Sequence, residues 1–141
     1  MLSTIARHVS LVAGLTGALA TAVPGILLWP RLSRSTLAGP FARYYLLEIA
    51  LVGALVLVAV LTRAPGAAAA AWTACGLTAA FVTAAGSTIG ALYIPAAGLF
   101  ALSGALADVE RRRGRILHAV LAGSAAALQF GVMAAAARVG R

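Results

Sequence analysis

Lysine is missing from this chain of 141 residues, and only three acidic residues, Glu48, Asp108 and Glu110, stand against eleven arginines. Charged residues make up 10% of the composition, against roughly 25% in a soluble domain, which is too little polarity to clothe a water-facing surface. The single Cys75 excludes a disulfide framework and a cysteine-based metal site, and inside an apolar run it reads as a small packing residue. Asp108 and Glu110 alone are too few hard ligands to hold a cation, so no metal is expected. GxSxG, Walker, GxGxxG and HExxH patterns are absent, and no catalytic role is expected.

Apolar residues are abundant instead. They form 62% of the chain, and the mean hydropathy is +1.01. These values predict an all-α integral membrane protein, a single small polytopic bundle with no room for a soluble domain, since each crossing takes about 20 residues. A net charge of +8 would suggest nucleic acid in a soluble protein. Here the arginines sit between apolar runs, where topology and lipid headgroups account for them, so no nucleic-acid partner is expected. Arginine without lysine, beside so much alanine and glycine, is the bias of a GC-rich bacterial genome, which points to a bacterial inner membrane.

The crossings are placed by the punctuation between them. A first run from 5 to 29 closes at Pro30, with Trp29 suited to the interface belt. Arg7, the apolar core and Ala18-Leu-Ala20 also resemble a signal peptide; we read the segment as a membrane anchor and the first span. Arg43 and Arg63 bracket the second span, 44 to 62, about 28 Å of helix. Residues 66 to 107 hold no charge and would reach about 63 Å as one helix, twice the hydrocarbon thickness, so the block must fold back. The glycines and hydroxyls of AAGSTIG, residues 84–90, mark the break, giving a third helix over 67–85 and a fourth over 89–107. After the charged loop DVERRRGR a fifth covers 116–137. The alternative is four crossings plus a re-entrant hairpin.

With five crossings, Arg7, Arg63, Arg111, Arg112, Arg113 and Arg115 share one side, and Arg31, Arg34, Arg43, Arg138 and Arg141 the other. RRRGR is the densest basic cluster, which places it, Arg63 and the amino terminus in the cytoplasm as topology determinants that meet anionic headgroups.

Apolar side chains gain little by leaving lipid, so small residues that admit close backbone approach should mark the packing faces. Ser10, Gly14, Ala18 and Ala22 form such a row in the first helix, Ala97, Ala101 and Ala105 in the fourth, and Ala119, Gly123, Ala127, Gly131 and Ala135 in the fifth. At 100° per residue, Ala50, Gly53 and Ala54 lie about 200°, 140° and 240° from Glu48, which therefore points away from its helix's packing face. His118 and Gln129 fall within about 20° of each other, opposite the centre of the fifth row. A charge facing lipid at depth costs about 2.5 kcal/mol or more, so these polar faces should meet protein, water or headgroups. For Glu48, about 7 Å inside Arg43, the candidate partners are Tyr44, Tyr45, Arg31, Arg34 and Arg43.

The stretch EIALVGALVLVAVLTRAPGAAAA, residues 48–70, with Glu48, Gly53, Thr62 and Arg63, resembles the second helix and following loop of DoxX-like small membrane proteins. That resemblance implies a bundle of four helices, from which a fifth would depart, and it transfers no functional residue.

Two functions follow as expectations. The first is a non-catalytic accessory subunit that offers faces to other membrane subunits or to copies of itself. The second is a small oligomeric transporter or channel that encloses Glu48 or the His118/Gln129 face, with support if Thr73, Thr78, Thr83 and Ser87 line one cavity with Gln129. No cofactor is expected. A haem held axially by His8 and His118, or quinone chemistry, is the third alternative.

Overall fold

The computed structural model describes residues 2–34, 40–111 and 114–139, and every element among them is helical. The elements are α1 (Leu2–Arg34), α2 (Pro40–Leu61), α3 (Ala67–Ile89), a 3-10 turn (Gly90–Tyr93), α4 (Ile94–Arg111) and α5 (Arg115–Val139). Five stretches are long and apolar enough to cross a membrane: Thr4–Pro30, Tyr44–Leu61, Ala67–Gly86, Gly90–Val109 and Ile116–Ala136. The uncharged block thus supplies two spans, each of 20 residues, about 30 Å.

The break inside that block falls at Gly86, within AAGSTIG. Its φ of 73° and ψ of −167° belong to a region that only glycine enters freely, and the 3-10 turn that follows reverses the chain. The first helix differs from expectation: it runs through Pro24 and Pro30 to Arg34. A proline removes one backbone donor, but in apolar surroundings the remaining backbone groups have no partner outside the helix, so the helix continues past it.

Short connections make successive helices run in opposite directions. α1 packs on α2 and α4, and α3 packs on the same two, which closes a ring of four alternating helices. α5 lies outside the ring, parallel to α3 and packed against it. Two apolar clusters fill the ring, one of Val56, Val60, Ala74, Ala96 and Phe100, with Cys75 packed on it, and one of Leu46, Ile49, Phe81 and Tyr93. In the second, Phe81 and Tyr93 meet edge to face at 5.1 Å.

The small-residue rows meet different fates. In α1, Ala18 is buried, and a side chain at Gly14 would collide with Val60 and Ser103. Ser10 Oγ donates to the Ser103 carbonyl at 2.9 Å, and Ser103 Oγ donates back to the Ser10 carbonyl at 2.9 Å, a clasp possible only between closely packed helices. In α4 the expected row of Ala97, Ala101 and Ala105 is displaced: Ala96, Phe100 and Ser103 are buried and Ala105 is exposed. The Phe100 ring sets that face by seating against Gly17 of α1.

In α5 the expectation is reversed. Ala119, Gly123, Ala127, Gly131 and Ala135 are all exposed, and a side chain at Gly123 or Gly131 would meet nothing within 4 Å. The face turned to the bundle carries His118, Ala122, Ala126, Gln129 and Met133. Polarity outweighs smallness here. His118 and Gln129 find hydrogen-bond partners only inside, whereas alanine and glycine lose little by facing outward.

Candidate functional site

α5 is held by polar contacts at two levels, eleven residues or about 16 Å apart along its axis. The first level is built on Asp108, on the last turns of α4. The expectation of a charged loop from residue 108 is corrected: α4 continues to Arg111, and Asp108 is 1% exposed. Trp72 Nε1–H of α3 donates to Asp108 Oδ2 at 2.9 Å, and His118 Nδ1 of α5 lies 2.6 Å from Oδ1. Indole nitrogen can only donate, and a carboxylate can only accept, so His118 carries its proton on Nδ1 toward Asp108. One carboxylate thereby ties three helices together. A cavity of about 430 Å³ lies beside it, lined by Trp72, Ala105, Asp108, Val109 and Ala119. Both carboxylate oxygens are engaged, so the cavity presents an almost wholly apolar wall.

The second level is the pair of Gln129 and Glu48. Gln129 Nε2 of α5 donates to Glu48 Oε2 of α2 at 2.9 Å. Gln129 is buried and Glu48 is half-buried. The Gly53 face of α2 packs on Thr21 of α1, and the Glu48 face, about 140° round the helix, is left for α5. The expected packing face of Ala50, Gly53 and Ala54 holds only in part, since Gly53 is buried and Ala54 is exposed while Ile49 and Val56 carry the burial instead; the cover of Glu48 is Gln129. Tyr44, an expected partner, is exposed instead. The side chains of Arg31, Arg34 and Arg43 lie outside the described residues.

Between the levels, Gly76 of α3 lies so close to Ala122 of α5 that a Cβ there would run into the Ala122 carbonyl. The small residue that permits the contact is thus on α3, and the polar face of α5 is its docking face. His118 and Gln129, expected to share a face, do share one, but each closes on its own partner.

The remaining candidates disperse. Arg63 is exposed at the end of α2; the side chains of Arg111 and Arg115 lie outside the described residues, as do Arg112 and Arg113 altogether. Thr78 is fully buried, Thr83 is exposed and donates to the Ala79 carbonyl of its own helix, and the Ser87 side chain lies outside the described residues. At 100° per residue, Thr73, Thr78 and Thr83 are spread around α3, each about 140° from the next. His8 is exposed on α1 and its Nδ1–H donates to the Thr4 carbonyl at 2.7 Å. His8 is thus bonded within its own helix and His118 to Asp108, so each closes on a different partner. Among the described residues no group of three or more His, Cys, Asp or Glu could hold a metal ion.

Sequence reasoning missed Asp108 and Trp72. The signal was present: at 100° per residue Asp108 lies about 80° from Phe100 and 40° from Gly104, on the buried face of α4 continued by one turn. No family model, curated protein or solved structure matches this chain, and the DoxX-like stretch at residues 48–70 therefore assigns no residue a role.

Proposed function

We propose that the chain is a small polytopic integral membrane protein of the bacterial inner membrane, amino terminus cytoplasmic, and that it serves as a non-catalytic accessory or structural subunit of a larger membrane complex. The observation that carries this reading is the position of α5. Only 6% of its span is buried, against 28–39% in the other four. Its outward face carries Gly123, Ala127, Gly131 and Ala135, all exposed, flanked by exposed Leu128, Phe130 and Val132. Both polar residues of the span's inner face are engaged inside, so the outer face is free to meet a helix of another subunit at close range.

A transport path needs polar groups at successive depths. The two polar levels here are each closed by an internal partner, which gives that alternative less support. The haem alternative lacks its two facing histidines.

The test is the set of neighbours after extraction in mild detergent. The expected result is co-purification in fixed ratio with other membrane subunits, lost on Gly123→Leu/Gly131→Leu. Neither position touches the rest of the fold, so the thermal unfolding of the isolated chain should be unchanged. A homo-oligomer containing no other chain overturns the accessory reading.

A further inference from the structure

Where α1 begins, α2 ends and α3 begins, a partly open cavity of about 320 Å³ is lined by Arg7, Ser10, Leu11, Val60, Arg63 and Ala67, among others. Two guanidinium-bearing side chains frame it, and among the described residues no acidic side chain lines it. Asp108, the described acidic residue at this end of the bundle, has both oxygens taken by Trp72 and His118. Among the described residues neither Arg7 nor Arg63 forms an ion pair. Ser10 sits in the wall with its hydroxyl proton committed to Ser103, and the side chains of Leu11, Val60 and three alanines make up the rest of the lining.

Arg63 carries a second, independent observation. Its φ of 54° lies in the left-handed region, and it ends α2 there, with the Ala64 N–H bonded to the Ala59 carbonyl at 2.9 Å. Helices commonly close with a glycine at such a position, because a side chain is strained in it. An arginine in that conformation, aimed at a cavity that another arginine shares, is backbone strain stored where a charged ligand would be held. α3 starts beside it at Gly66, which brings no side-chain cap, so the positive end of the helix dipole adds to the same field.

We propose that this cavity binds the phosphate group of an anionic molecule, either the headgroup of a phospholipid or free phosphate, between the Arg7 and Arg63 guanidinium groups. Paired guanidiniums match phosphate oxygens in geometry as well as charge. The phosphate chemistry stands on the cavity; only a lipid source rests on the membrane reading above.

The experiment uses the full chain in detergent, equilibrated with equal amounts of zwitterionic and anionic phospholipid and examined by native mass spectrometry. Inorganic phosphate binding is measured in parallel by calorimetry on lipid-stripped protein. The wild-type chain is expected to retain the anionic lipid selectively. Retention should fall about fivefold for Arg7→Gln or Arg63→Gln alone, and roughly twenty-five-fold for the pair. Arg138→Gln, at the far end of α5, should change nothing. Arg7→Lys/Arg63→Lys, which keeps the charge and loses the forked geometry, should fall in between. The single variants keep the test readable if the double variant does not fold. The same pattern with inorganic phosphate and no lipid selectivity assigns the site to free phosphate. Equal retention of both ligands by the wild type and the arginine variants, or an equal loss in Arg138→Gln, overturns the proposal. No partner chain enters either readout, so the outcome is separate from that of the accessory reading.

Discussion

Asp108 is a buried carboxylate that gathers hydrogen bonds from two other helices. A carboxylate withdrawn from water must be compensated by donors on both oxygens, and Trp72 and His118 supply them. Removing one partner should therefore cost more than removing the pair. His118→Leu is expected to lower unfolding stability by about 3 kcal/mol, whereas Asp108→Leu/His118→Leu should recover most of that loss, because two apolar residues leave no charge stranded. Denaturant titration of His118→Leu, Asp108→Leu and the pair in micelles checks this; a loss in the pair equal to the sum of the two single losses would show that the two are not coupled. From the sequence Asp108 is hard to place, since the charges of residues 108–115 cluster and suggest a loop. Its helical phase with Phe100 decides the matter, and that phase becomes visible only once α4 is allowed to run one turn further.

At the scale of elements, α5 shows how a helix chooses its face. Alanine and glycine occur all round it, so a small-residue row carries no contrast, and two polar side chains outweigh five small ones. The α1 row was legible because Gly14 and Ala18 stand among large residues such as Leu11, Val12 and Leu15; the α5 row was not, because Ala122 and Ala126 make the opposite face small as well. The residue that admits α5 is Gly76 on α3, against the Ala122 backbone. Gly76→Leu should thus destabilise the chain by about 2 kcal/mol or more through overpacking. Gly123→Leu, on the outer face, should stay within about 0.5 kcal/mol. Thermal unfolding of the two variants side by side is the comparison, and similar losses would place Gly123 in an internal contact.

For the whole molecule, five helices are long and apolar enough to cross a membrane, and if each crosses, residues 4 and 138 end on opposite sides. In a Cys75→Ala background, Thr4→Cys and Arg138→Cys should react with a membrane-impermeant thiol reagent from opposite sides of sealed vesicles. Reaction from the same side would mean four crossings. The five long apolar helices were readable from charge punctuation and from the 30 Å limit, and the turn at Gly86 from its glycines and hydroxyls. The ring of four with a fifth helix outside it was not, because which helices touch depends on side-chain fit between segments that the sequence gives no means of pairing.

That arrangement also has a timetable. Glu48 and its partner Gln129 are 81 residues apart, and ribosomes add about 5–20 residues per second, so Glu48 exists for about 4–16 s before the amide that covers it is made. Asp108 waits ten residues for His118. The first four helices are complete while both carboxylates are still short of a donor, and α5, made after them, satisfies both. A nascent chain stopped before α5 would carry two exposed acids in an apolar bundle, a recognisable mark of an unfinished protein.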